Sequence, residues 1–216
     1  MEEIHYSDIP RFHVAVDCMI FSVIGGKLHI LLVERDFEPE KGKWSLIGGF
    51  VRENESLDNA AKRVLRSLTG IKDAFICQTG AFGEVKRDPG ARVVSIAYYA
   101  LVNFQKISLP QNKNCEWHEV SNLPELYFDH PMMIQRALSD MRQKILTEAL
   151  AFNLLPELFT LTQLQNLVES VTGNKLDKRN FRKRVAELPG LSLTDLIDRQ
   201  SSKRGARLYR YNKPIN

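Results

Sequence analysis

The stretch that decides the fold runs from Gly49 to Ile71 and reads Gly49-Phe-Val-Arg-Glu-Asn-Glu55-Ser-Leu-Asp-Asn-Ala-Ala-Lys-Arg63-Val-Leu-Arg-Ser-Leu-Thr-Gly70-Ile71. Its second half is typical of an amphipathic helix, because apolar residues recur three and four positions apart. These residues are Leu57, Ala60, Ala61, Val64, Leu65 and Leu68. We expect Ser56 to be the N-cap of this helix and Gly70 to be the left-handed residue that ends it. The stretch therefore predicts a loop and a helix with one buried face.

This spacing resembles the Nudix box, a motif that combines a glycine, a glutamate and the run Arg-Glu-apolar-x-Glu-Glu-x-Gly. The framework positions of that motif are present as Gly49, Glu55, Arg63 and Gly70. The three acidic positions of its second half are instead Val64, Ser67 and Leu68. The resemblance implies that Glu55 and Arg63 persist as a structural ion pair in a degenerate box.

The missing acids decide the expected chemistry, since Nudix enzymes hold Mg²⁺ or Mn²⁺ against a diphosphate. Hard divalent cations need several oxygen ligands, and Val64 and Leu68 offer none. Glu55 alone cannot supply that set. We therefore predict a Nudix fold used for binding, with no catalytic residues, no metal site, no cofactor and no enzymatic activity.

Length and charge indicate two domains with different roles. A chain of 216 residues suits one large domain or two smaller ones. Residues 150–216 carry 12 Lys and Arg against 6 Asp and Glu, whereas residues 1–149 carry 18 against 20. A basic carboxyl-terminal third on a slightly acidic body is the pattern of a nucleic-acid-binding appendage.

Composition also bears on the compartment. The best candidate for a membrane span, residues 14–24, is interrupted by Asp17, and the acidic start of the chain is unlike a secretory signal. Cys18, Cys77 and Cys115 match no metal or redox spacing, so we expect free thiols in a reducing environment. These features predict a cytoplasmic protein with no membrane partner.

The order of elements in the first part of the chain fits the same fold. Paired glycines at Gly25 and Gly26 predict a hairpin between residues 12–23 and 28–34. Further strands are expected at residues 43–51, 74–82, 92–103 and 116–120, with a loop at residues 35–43. A long helix is expected at residues 131–152, with Pro131 at its start. We interpret Asp129 and His130 as a helix-start aspartate and a surface histidine.

Residues 159–216 read as a winged helix-turn-helix. Thr160 and Gln163 have the spacing of a capping box that begins one helix, and a second helix begins near Asp177. On that second helix Phe181, Val185 and Leu188 share one face, with cations opposite, which suits the major groove of DNA. Strands at 193–198 and 207–211 then enclose a basic turn, the expected wing.

Together these segments resemble the Nudix-related transcriptional regulators over the whole chain. The resemblance implies an α+β fold, with a Nudix-fold α/β/α sandwich and mixed sheet at residues 1–150 and a winged helix-turn-helix domain at residues 151–216. It also implies a homodimer that binds a palindromic operator in double-stranded DNA. The predicted DNA-binding residues are Thr162, Gln163, Lys178, Arg179, Asn180, Arg182, Lys183, Ser202, Lys203 and Arg204.

In that family the Nudix domain senses a small molecule. Polar contacts are expected from Lys43, Ser45, Arg87 and Asp88, and apolar walls from Phe37, Phe82 or Trp44. One branch of the family responds to ADP-ribose and controls NAD metabolism, and another responds to a sugar such as L-arabinose. Residues 153–160 and 178–184 favour the sugar branch, as does the loss of the box acids.

The sequence leaves two other classes of function open. An active ADP-ribose hydrolase with a DNA-binding tail would need metal ligands from outside the box, and the visible candidates are Glu53, Glu84, Glu116 and Glu119. A Nudix-like RNA-binding or scaffold protein is the third alternative, although the winged hairpin favours duplex DNA.

Overall fold

A computed structural model describes residues 5–71, 74–107, 109, 114–147, 149–199 and 205–212. The strands of the first domain are β1 (His13–Ile24), β2 (Lys27–Glu34), β3 (Trp44–Ser45), β4 (Ile47–Phe50), β5 (Phe75–Phe82), β6 (Val93–Leu101) and β7 (Cys115–Glu119). Its helices are α1 (Leu57–Thr69) and α2 (His130–Lys144), with short 3-10 turns at Tyr6–Asp8 and Phe104–Lys106.

These strands form one mixed sheet in the order β3-β2-β1-β6-β5, with β4 paired to β1 and β7 paired to β2. Strand β1 runs parallel to β6 and antiparallel to β2 and β4. The β1–β2 turn is closed by Gly25 and Gly26, whose φ angles of 57° and 79° favour glycine. The predicted hairpin is therefore confirmed.

Each face of the sheet carries helices, as the predicted sandwich requires. The buried face of α1 packs with Val16, Ile20 and Tyr98 on one side of the sheet. On the other side α2 packs with Met19, Phe21 and Tyr99. Ser56 caps α1 by accepting from the Asn59 backbone N–H at 3.2 Å, and Gly70 ends the helix with a φ of 71°. The α+β fold class and the helix of the opening stretch are confirmed.

The second domain is a winged helix. Its elements are β8 (Phe159–Thr160), α3 (Leu161–Thr172), α4 (Lys178–Ala186), β9 (Leu191–Asp198) and β10 (Ala206–Tyr211), which form a sheet in the order β8-β10-β9. The predicted capping box caps the N-terminus of α3. Thr160 Oγ1 accepts from the Gln163 N–H, and Gln163 Oε1 accepts from the Thr160 N–H.

Two predicted boundaries are wrong. The predicted strand at 43–51 is split into β3 and β4 at Leu46, whose backbone N–H leaves the sheet and donates to His130 Nδ1 at 3.3 Å. The predicted helix at 131–152 ends at Lys144. Buried apolar residues continue beyond it in a turn and a 3-10 helix (Leu150–Asn153), so their pattern imitates a longer helix.

A continuous apolar core joins the two domains. Residues of α2, such as Met141, share it with Leu164 and Val168 of α3 and with Phe181 of α4. The first domain therefore contacts the helix-turn-helix directly through packed side chains. No helix in the described ranges combines the length and apolar character needed to cross a membrane.

Candidate functional site: a cavity over the degenerate box and a basic helix

A cavity of about 780 Å³ opens beside the sequence stretch that begins at Gly49. Its walls come from β1, β4, the loop after β2, the loop before β6 and the start of α2. This volume lies within the roughly 300–1,000 Å³ of small-molecule sites. The cavity is therefore the candidate effector site.

A buried polar cluster lies in its wall. Arg87 donates from Nε and Nη2 to the Asp129 carboxylate at 2.9 and 2.7 Å, and its Nη2 lies 3.6 Å from Asp17 Oδ2. Ser95 donates to the same Asp17 oxygen at 2.5 Å. A Cβ at position 48 would overlap the Asp17 carboxylate, so Gly48 leaves room for that carboxylate. Charged groups buried in this way are stable because they are paired.

Aromatic rings line another part of the cavity. The Arg35 guanidinium carbon lies 4.3 Å from the ring centre of Phe37 and 5.0 Å from that of Phe128. Arg35 Nε also donates to the Pro39 carbonyl at 2.8 Å, which holds the guanidinium in place. Phe37 is 59% exposed. A planar ring and a fixed cation at one mouth can bind a ligand with both a flat and an anionic part.

The positions of the missing box acids provide no metal ligands. Leu68 lines the cavity, and Val64 is buried with a methyl close to Gly49. Ser67 is exposed and donates to the Val64 carbonyl. Among the described residues, no group of three or more His, Cys, Asp or Glu side chains could hold a metal ion.

The structure brings together four of the six predicted effector residues. Phe37, Ser45, Arg87 and Asp88 line the cavity, whereas Lys43 and Phe82 do not. Lys43 Nζ lies 5.3 Å from the ring centre of Tyr127, and Phe82 packs against the α2 side of the sheet. Trp44, the alternative wall, also packs against that core and is absent from the lining.

Sequence reasoning missed Asp17, Arg35 and His130 as cavity residues. The sequence did contain one signal for this site, because Asp17 is a charged residue within an otherwise apolar strand. The interpretation of His130 as a surface histidine is wrong, because it is 3% exposed and its Nε2 lies 3.9 Å from Asp17 Oδ1. Burial lowers the pKa of His130, and Asp17 and Asp129 offset part of that effect.

The second candidate surface is α4. Phe181 and Val185 anchor this helix in the core, while Arg179, Arg182 and Lys183 are exposed on its opposite side. Asp177 caps it by accepting from the Asn180 N–H at 2.8 Å. Glu169 of α3 fixes the turn between the two helices, since it accepts from the Leu176 N–H at 3.0 Å. A cationic face on a rigidly held helix can enter a DNA groove.

The other predicted DNA-binding residues have different outcomes. Thr162, Lys178 and Asn180 are exposed at helix starts. Gln163 is exposed, but its Oε1 is engaged in the capping box. Ser202, Lys203 and Arg204 lie outside the described residues.

Comparisons with known proteins agree with this architecture. A profile of the NUDIX domain matches residues 11–137, and one of the NrtR DNA-binding winged helix domain matches residues 151–211. The ADPR responsive transcriptional repressor NtrR of Acinetobacter baylyi is 37% identical over 211 residues, covering 95% of this chain and 84% of that protein.

Solved structures give the same picture. The Shewanella oneidensis NrtR complexed with a 27mer DNA is 30% identical, with a TM-score of 0.82 over 92% of this chain and 93% of that one. The NUDIX domain of that NrtR complexed with ADP ribose is 28% identical, with a TM-score of 0.57 over 64% of this chain and 94% of that one.

Proposed function

This chain belongs to the NrtR-type family of Nudix plus winged-helix regulators, and from that premise we propose that it is an ADP-ribose-responsive transcriptional repressor. The observation that carries the DNA-binding part is the outer face of α4. Three exposed cations, Arg179, Arg182 and Lys183, lie opposite two buried anchors on a capped helix. Such cations can contact phosphates and base edges.

The cavity supports ADP-ribose as the effector. Arg35, Lys41 and Arg87 are cations of its lining, which also holds the carboxylates of Asp17, Glu34, Asp36, Glu38 and Asp88. A diphosphate bound without a metal would pair with those cations. Phe37 and Phe128 provide flat apolar surface for a base. The sequence-based preference for the L-arabinose branch is not supported by the relatives, which include an ADPR responsive repressor and a NUDIX domain complexed with ADP ribose.

We further propose that the protein binds ADP-ribose without hydrolysing it. Leu68 contacts the cavity where the Nudix box has an acid, and Val64 is buried against Gly49. Glu55, the remaining box acid, is occupied by Arg63 at 2.5 Å. With its carboxylate committed to this pair, the box lacks the oxygen ligands that a catalytic cation requires.

We propose that the acting unit on DNA is a two-fold dimer. A single winged helix presents one recognition helix and covers one half-site. A dimer would place two α4 helices on the half-sites of a palindrome, and ADP-ribose would alter their relative placement.

The test begins with selection of bound sequences from a pool of random DNA duplexes. Fluorescence anisotropy on the selected duplex then measures affinity without ligand, with ADP-ribose and with L-arabinose. We expect a preferred palindromic duplex that ADP-ribose releases and L-arabinose does not. Equal binding to all duplexes would contradict a sequence-specific regulator, and release by L-arabinose alone would restore the sugar branch.

A further inference from the structure

The start of α2 is held by a residue of the cavity wall. Arg87, in the loop between β5 and β6, is 5% exposed in its side chain and binds the Asp129 carboxylate with two hydrogen bonds. Asp129 is the N-cap residue of α2, yet its side chain makes no capping bond to the helix. The carboxylate that could have capped α2 instead fixes the helix start to the cavity.

Arg87 also lies close to a second carboxylate. Asp17 Oδ2 is 3.6 Å from the same Nη2 that binds Asp129, and both Asp17 and Arg87 line the cavity. One guanidinium is therefore shared between two acids. An anionic ligand entering beside Asp17 would meet a repelling carboxylate unless Arg87 turned towards the ligand.

The far end of α2 contacts the DNA-binding domain. Arg142 Nε donates to the Val171 carbonyl in the last turn of α3 at 3.1 Å, and Met141 packs in the core shared by α2 and α3. In α3, Glu169 binds the backbone N–H of Leu176 and the Lys175 ammonium, fixing the turn before α4. An unbroken series of contacts thus joins Arg87 to the recognition helix.

We propose that the Arg87–Asp129 ion pair is the switch through which a diphosphate ligand in the cavity controls α4. The diphosphate competes with Asp129 for the guanidinium, and the released start of α2 lets that helix shift against α3. Packed interfaces of this kind change between discrete arrangements. The ligand favours the released arrangement only as far as it binds it more tightly. This inference rests on the proposed ADP-ribose effector.

The first variant is Asp129→Asn, which keeps the side-chain size and removes the competing charge. Competition predicts that ADP-ribose binds this variant more tightly, by up to the full coupling factor of about 5–150-fold. The variant should also bind operator DNA weakly without ligand, so that the ratio of operator affinities without and with ADP-ribose falls towards one. The matched control is Asp140→Asn, which removes an α2 acid paired with Lys144 on the same helix.

The second variant acts at the other end of the helix. Arg142→Gln removes the ionic donor to Val171 without touching the cavity, so ADP-ribose should still bind while the ratio of operator affinities falls. Exposed Arg136, changed to Gln, is the matched control on α2. Thermal melts by circular dichroism establish that each variant is folded.

Calorimetry with ADP-ribose and anisotropy with operator DNA separate the outcomes. If wild type does not bind ADP-ribose, the proposed effector and the switch are both wrong. If wild type binds and releases DNA but Asp129→Asn binds ADP-ribose equally or more weakly, Asp129 only positions Arg87 and the switch is wrong. If the ratio of operator affinities without and with ADP-ribose is unchanged in Arg142→Gln, α2 does not transmit the change from the cavity to α3.

Discussion

Glu55 and Arg63 form a two-point ion pair, with Arg63 Nε 2.9 Å from Glu55 Oε2 and Nη2 2.5 Å from Oε1. Arg63 Nη2 also donates to the Phe50 carbonyl at 2.9 Å, and the Arg52 N–H donates to Glu55 at 2.8 Å. These bonds close the loop between β4 and α1. The predicted structural pair is confirmed, and it keeps the framework of the box intact where the acids are missing.

The ion pair predicts a pH-dependent effect of Glu55→Gln on stability. Hydrogen bonding to Arg63 lowers the pKa of Glu55 from 4.5 to about 2. A carboxyl group whose pKa is lower in the folded state than in the unfolded state stabilises the folded protein at pH values above its unfolded-state pKa. This stabilisation is lost as the pH falls towards the folded-state pKa. In urea unfolding, the free energy of unfolding of Glu55→Gln should fall furthest below that of wild type above pH 4.5, and the difference should shrink towards pH 2. Exposed Glu53→Gln is the control, and a deficit independent of pH would contradict the prediction.

Incubation with ADP-ribose and Mg²⁺ or Mn²⁺ should yield no AMP above background. The reason is the apolar replacement at Val64 and Leu68, which leaves the metal without carboxylate oxygens. Chromatographic separation of AMP checks this. Protein-dependent turnover that Glu55→Gln abolished would show that the degenerate box still catalyses.

Phe37→Ala should weaken ADP-ribose binding, whereas Lys43→Ala should not. Phe37 lines the cavity and holds Arg35 by a cation–π contact, while Lys43 lies outside the lining. Base stacking on an aromatic side chain contributes roughly 1–3 kcal/mol, which sets the scale of the loss. Calorimetry measures both variants, and an equal loss in the two would move the binding site towards Lys43.

Arg179→Ala and Arg182→Ala should each weaken operator binding. Loss of a base-reading arginine costs roughly 1–3 kcal/mol, and loss of a phosphate contact lowers the slope of log K against log salt by about one. Anisotropy across a salt series distinguishes these roles. Lys62→Ala is the control, because this exposed cation lies on α1 of the first domain. If both variants bound like wild type, DNA would contact another face.

Acidification should destabilise wild type more than His130→Asn. Burial lowers the pKa of His130, so the unfolded state takes up a proton first, and stability falls as pH drops below the unfolded value of about 6.5. Asparagine can still accept from the Leu46 N–H but does not titrate. Thermal melts between pH 5 and 8 measure the difference, with exposed His13→Asn as control. If the melting temperatures of wild type and His130→Asn changed equally with pH, the predicted effect of burying His130 would be contradicted.

The sequence by itself determined the local features of this protein. The Gly25-Gly26 turn, the Ser56 cap of α1 and the Thr160 capping box depend on residues close together in the chain. The absent acids at Val64 and Leu68 could likewise be read directly, because a missing donor atom needs no structure to establish. Local backbone conformation and hydrogen bonding impose these patterns.

The tertiary structure alone decided which distant residues meet at and behind the cavity wall. Asp17, Arg87 and Asp129 belong to three separate segments, and only the packing of β1, the loop before β6 and α2 brings their charges together. The end of α2 at Lys144 could not be predicted from the sequence either, because it also depends on tertiary packing. The turn and 3-10 helix after α2 are buried against the second domain, so their apolar residues have the spacing expected of a helix. Hydrophobic periodicity shows which residues are buried, but it does not show whether the backbone between them is an α-helix.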